Sequence, residues 1–133
     1  MAVEGRYFTW TLAAGEDLDD LTPGTGHLYK AVALDDGRVA QDGREAGGLL
    51  LYGGRQDEHV TLGYAGVMKF TAGAPVGAGR RLTVGTSGYL AEAGSGSYVV
   101  GRSLESAVAS GAVGSGVFNF ATIAYMGNSG EIA

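Results

Sequence analysis

Apolar and polar residues alternate from Arg6 to Leu12 (RYFTWTL), so that Phe8, Trp10 and Leu12 share one face and Tyr7, Thr9 and Thr11 the other. A period of two predicts a strand. Gly15 to Gly26 (GEDLDDLTPGTG) follows as an acidic linker with Pro23 between glycine-containing turns, which makes residues 1–26 read as an arm. Leu28 to Leu34 and Arg38 to Gln41 flank Asp35-Asp36-Gly37, an aspartate-glycine hairpin signal. Gly47 to Tyr52 (GGLLLY) is bounded by glycine pairs and predicts a short buried strand. Arg55 to Glu58 is a charged loop, and His59 to Tyr64 leads into the stretch that organises the chain, Gly63 to Glu92.

That stretch reads as strand, glycine corner, strand, tight turn, strand. Gly66 to Phe70 is extended, and Thr71 to Gly79 packs Gly73, Pro75, Gly77 and Gly79 into a density of breakers that no sheet interior tolerates. Substituting Gly73, Gly77 or Gly79 is therefore expected to cost stability. Arg81 to Val84 resumes a strand, and Thr86-Ser87-Gly88 folds it back onto Tyr89-Leu90-Ala91. Lys30 to Gln41 aligns without gaps on Arg81 to Glu92, which suggests two related hairpins. One pair of units is too little for a solenoid. Ser103 to Gly111 has Leu104, Ala107 and Val108 at helical spacing and reads as a helix of about two turns or as a loop. Val117 to Met126 (VFNFATIAYM) is apolar on both faces, as in a strand inside a core or a subunit interface.

In the same stretch GVMKFTAGAPVGAGRRLTV, followed by a serine-glycine turn and later by VVGRSLESAVASG, resembles the small capsid cement proteins of tailed bacteriophages, which decorate and reinforce a head from outside. The likeness runs from about Ala31 to Phe120 and rests on the order Thr71-Ala72-Gly73, Gly79, Leu82-Thr83-Val84, Gly88 and Val99-Val100-Gly101. Arg80-Arg81 departs from it, since relatives often carry an acidic residue after the glycine. The resemblance implies a homotrimer on the exterior of the virion that bridges copies of the major capsid protein, made in the host cytoplasm.

Composition narrows the alternatives. A chain of 133 residues forms one domain with a core of its own. The expected organisation is an arm and linker over 1–26, a β domain over 27–126 and a tail over 127–133. Cysteine is absent, so packing alone must hold the core. A net charge of −5 opposes a nucleic-acid partner. No apolar run approaches the roughly 20 residues of a membrane span, and MAVEGRYF does not read as a secretory signal. The 25 glycines are far above the usual share without a collagen period, as suits a turn-rich all-β fold: a compact antiparallel sandwich or barrel of short strands, β-tulip-like, with an extended N-terminal arm.

Catalytic motifs are missing: no G-x-S-x-G elbow, no phosphate-binding loop, no H-E-x-x-H. His27 and His59 are isolated, and Glu16, Asp17, Asp19 and Asp20 miss the calcium-loop pattern. Gly77 to Arg81 has the residues of an anion-holding nest but reads better as a corner with flanking charge. The chain is thus expected to be no enzyme and to have no cofactor or metal; the alternative function is a small-ligand or carbohydrate-binding β module. Expected interface residues are the aromatic arm, Tyr7, Phe8, Trp10 and Leu12, with Phe118, Phe120 and Tyr125 of the last strand. If the arm waits for a capsid partner, removing residues 1–12 leaves the rest folded.

Overall fold

The computed structural model describes residues 6–19, 26–41, 46–94, 98–107, 109–121 and, by backbone alone, 124–125. Ten strands are formed by the described residues: β1 Tyr7–Ala13, β2 Ala31–Ala33, β3 Ala46–Tyr52, β4 His59–Thr71, β5 Arg81–Val84, β6 Leu90–Glu92, β7 Tyr98–Val99, β8 Gly101–Ser103, β9 Val113–Asn119 and β10 Ala124–Tyr125. Neighbours in the main sheet run β2-β3-β4-β9-β8-β5-β6, all antiparallel, with β1 branching off on β4. β7 and β10 form a separate two-stranded ladder. The all-β expectation holds, and the sheet curls into a nearly closed barrel.

The two hairpins read in the sequence bring the ends of the sheet together. In the first, the Gly37 N–H donates to Ala33 and the Ala33 N–H to Arg38, with Gly37 at φ +69°. In the second, Thr86–Gly88 make a 3-10 turn, with Gly88 at φ +78°. The tip of the second meets the base of the first: a Cβ on Gly88 would lie 2.8 Å from the Ala31 carbonyl oxygen, the Ser87 N–H donates to Gln41 Oε1 at 3.2 Å, and Lys30 Nζ stands 4.2 Å above the Tyr89 ring. Leu90 adds a parallel bridge to Ala72.

Two apolar clusters share the middle of the sheet. Ala31, Ala33, Leu49, Met68, Phe70, Leu82, Leu90 and Phe118 fill the barrel, whereas Val32, Leu50, Val60 and Leu62 point to its outer side, where Ala14, Leu18, Trp10, Leu12 and Val39 cover them. β2 and β3 are therefore buried on both faces, which accounts for the unbroken run Gly48 to Leu51. Barrel strands lie close because glycines face the rings. A Cβ on Gly101 would stand 2.6 Å from Phe118 Cδ1, one on Gly116 2.8 Å from Phe118 Cε2, and one on Gly114 2.8 Å from Phe70 Cζ.

Several expectations are corrected. The N-terminal segment is extended, but it does not wait for a partner: β1 pairs β4 from Tyr7↔Gly66 to Ala13↔His59. The described part of the acidic linker, residues 15–19, is equally built in. Leu18 is 1% exposed and exchanges backbone hydrogen bonds with Gly54, Glu16 accepts from the Val39 N–H, and Asp17 from the Gln56 N–H. Its carboxylates bind loops together. The segment after β8 folds as bends and turns, without a helix among its described residues, because Ala107 is bridged to Val76. The last apolar run is not one strand. β9 starts earlier, at Val113, and ends at Asn119, whose side chain accepts from the Ala121 N–H and turns the chain. The barrel buries Phe118 and Phe120 within this single chain.

The glycine corner Ala72 to Arg80 is held by Ser103, which is 1% exposed, accepts from the Arg80 N–H at 2.9 Å and donates to the Gly77 carbonyl at 2.6 Å. Its three glycines differ. Gly79 has φ +72° and open space around a Cβ, Gly73 is tight because a Cβ would lie 2.8 Å from Tyr89 Cβ, and a Cβ on Gly77 would make ordinary contacts only, the nearest with Arg80 Nε at 3.4 Å. Gly79→Ala is therefore expected to cost about 1 kcal/mol through backbone strain, and Gly77→Ala less than about 0.5 kcal/mol, as for ordinary surface changes. Thermal melts of the two variants check this ordering.

Candidate interaction surface

Register decides which side chains share the outside of the barrel, since residues paired across strands point the same way. Phe8, Ala65 and Asn119 form one outward row across β1, β4 and β9. The next row crosses four strands: Val67 on β4, Val117 on β9, Arg102 on β8 and Arg81 on β5. Phe8 is 66% exposed and Val117 44%. Both are large apolar groups in adjacent rows of one face, and contiguous exposed apolar surface marks a contact site.

β1 forms the free margin of this face. It pairs β4 on one side, and among the described residues no strand pairs its other side. Edges normally carry charge or proline against unwanted pairing, yet Tyr7–Ala13 (YFTWTLA) has neither. An irregularity between Phe8 and Thr9 lets Tyr64 bulge from β4. Its ring stacks on Trp10 with centroids 4.3 Å apart and lies 6.2 Å from Phe8. The result is an aromatic shelf whose inner part, Trp10, is packed and whose outer part, Phe8, is bare.

Of the residues expected at an interface, Tyr7 and Phe8 are exposed, Trp10 and Leu12 are half-buried against their own chain, and Phe118 and Phe120 lie in the core. Phe118 meets Phe70 edge-on at 5.9 Å and stacks on Phe120 at 5.7 Å. These two are structural. The Tyr125 side chain, Ile123, Met126 and the expected tail 127–133 lie outside the described residues. Sequence reading missed Val67, Val117, Arg102 and Arg81 as a set, because their row exists only through the pairing of four strands.

Charge is distributed unevenly. Glu16, Asp17, Asp35, Asp36, Asp57 and Glu58 stand on three loops joined by hydrogen bonds, donor first: Gly15 to Gly37, Ala14 to Glu58, Asp57 to Ala14 and Gln56 to the Asp17 carboxylate. Arg81 and Arg102, by contrast, oppose each other on the outward face. Among the described residues no group of three or more His, Asp or Glu side chains is placed to hold a metal ion.

Among solved structures, the chain is similar to the crystal structure of the head fiber gp8.5 N base in bacteriophage phi29, with a TM-score of 0.65 and 16% sequence identity over 86% of this chain and 96% of that one. At that identity the likeness is one of fold. No protein-family model matches the sequence, and no curated protein matches it.

Proposed function

We propose that this chain is a decoration (cement) protein of a tailed-bacteriophage head, which binds the outside of the shell as a homotrimer and ties copies of the major capsid protein together. The observation that carries this reading is the likeness of fold, over 86% of this chain, to a protein described as a head fiber base. The sequence resemblance to cement proteins supports it independently. Its work is mechanical, not catalytic, and uses no cofactor: each bound copy adds contact area that internal pressure must break before the shell opens. Such interfaces bury upward of about 1,200 Å², and the outward face of β1 and the adjoining part of β4, with Phe8 bare, supplies an apolar centre for one. The uncharged edge of β1 offers backbone pairing beside it.

Binding of the purified chain to heads that lack it tests the assignment. Phe8→Asp is expected to weaken attachment by more than tenfold, because a bare aromatic anchor is replaced by a charge at the centre of the contact. Its melting temperature should be nearly unchanged, since Phe8 is 66% exposed. Attachment as tight as that of the parent chain would remove the β1 margin from the contact.

A further inference from the structure

Arg81 on β5 and Arg102 on β8 are directly opposed in register. Like charges so placed repel. Neither guanidinium has an ion-pair partner among the described residues, and Arg81 Nε is buried without a hydrogen bond. The two line a groove of about 380 Å³ whose other walls include Val99, Leu104 and Val117. A site with two guanidiniums that have no ion pair among the described residues, set among apolar walls, suits carboxylates flanked by an apolar side chain, because guanidinium and carboxylate pair through two parallel hydrogen bonds and an apolar surround strengthens them.

The chain itself presents that ligand elsewhere on its surface. At the first hairpin tip Leu34 is 49% exposed and is followed by the exposed carboxylates of Asp35 and Asp36. The turn is already rigid, with the Ala33 N–H donating to Arg38 at 2.8 Å and the Arg38 N–H to Asp36 Oδ1 at 3.0 Å, so little freedom is lost on docking. We propose that the Leu34-Asp35-Asp36 tip of one copy seats in the Arg81–Arg102 groove of a second copy. Tip and groove share no residue, so the contact is head to tail, the kind that builds a three-membered ring where each step turns by a third of a circle. This rests on the homotrimer reading above and names the contact that would hold the trimer.

Sedimentation velocity on the full chain tests it, with circular dichroism to show that each variant is folded. Parent protein is expected as a trimer that loosens as salt screens the contact. Arg102→Glu should raise the subunit dissociation constant by at least tenfold, and Asp35→Lys with Asp36→Lys should do the same. Combining Arg81→Glu and Arg102→Glu with the two lysines in one chain should restore the trimer, since both charges of the groove and both of the tip are then exchanged. A folded Arg102→Glu trimer as tight as the parent, or a combined variant that stays dissociated, overturns the contact and leaves the trimer standing. A parent protein that is monomeric at every concentration removes the preformed trimer and the contact with it.

Discussion

Removing residues 1–12 is expected to destabilise the protein severely, in contrast to what an independent arm would do. β1 covers Val60, Leu62 and Leu50, each at most 1% exposed, through Trp10 and Leu12. A fully buried aliphatic side chain is worth roughly 1.5–3 kcal/mol, so half-uncovering Val60 and Leu62 and losing two half-buried side chains removes about 4 kcal/mol. The chain entropy released by cutting the strand offsets part of this, yet nothing re-covers the outer cluster. Total stabilities of about 5–15 kcal/mol leave little margin for such a loss. The truncated chain should melt well over about 10 °C lower and expose apolar surface to a hydrophobic dye. Trp10→Ala should show about 2 kcal/mol of the same loss, including its stack on Tyr64. A truncated protein that melts like the parent would mean that the pairing of β1 with β4 contributes nothing.

Gly101→Val is the second large effect. Its Cβ would meet the Val117 carbonyl oxygen and stand 2.6 Å from Phe118 Cδ1. The first obstacle is backbone of the neighbouring strand and cannot rotate away, so β8 and β9 must separate or Phe118 must leave its place between Phe70 and Phe120. Overpacking of this kind costs about 1–3 kcal/mol, and the added β-branch puts the expected value at the upper end, a fall of about 10 °C in melting temperature. Gly94→Ala is the control, because nothing lies within 4 Å of its Cβ. Pairing Gly101→Ala with Phe118→Leu should recover part of the loss as a coupling energy. Equal melting of the Gly94 and Gly101 variants would contradict the close approach of these strands.

What could be read from the sequence was local. Asp35-Asp36-Gly37 and Thr86-Ser87-Gly88 marked both hairpins because turn chemistry is set by a few adjacent residues, and Gly47 to Tyr52 announced a buried strand by its boundaries. Contacts between distant segments were not legible. β1 lies on a strand some fifty positions later, so its alternation showed a strand but not its partner, and the acidic linker looked solvated because composition cannot reveal that Glu16 and Asp17 accept backbone hydrogen bonds from Val39 and Gln56. Gly101 and the glycines of VGSGVF make sense only once Phe118 and Phe70 are seen lying over Gly101, Gly116 and Gly114. Phe118 and Phe120 looked like interface residues for the same reason: their apolar character is visible locally, while the barrel that covers them is assembled from β4, β8 and β9. The interaction face was the least legible, since Val67, Val117, Arg102 and Arg81 come from four strands.

A cryo-EM map of the native phage particle tests the central claim most directly. A trimeric density of this barrel fold is expected on the outer surface of the head, in many copies, with the margin of β1 and Phe8 against the major capsid protein. A head whose outer surface carries no such density, in particles shown by peptide mass spectrometry to lack the chain, would contradict it.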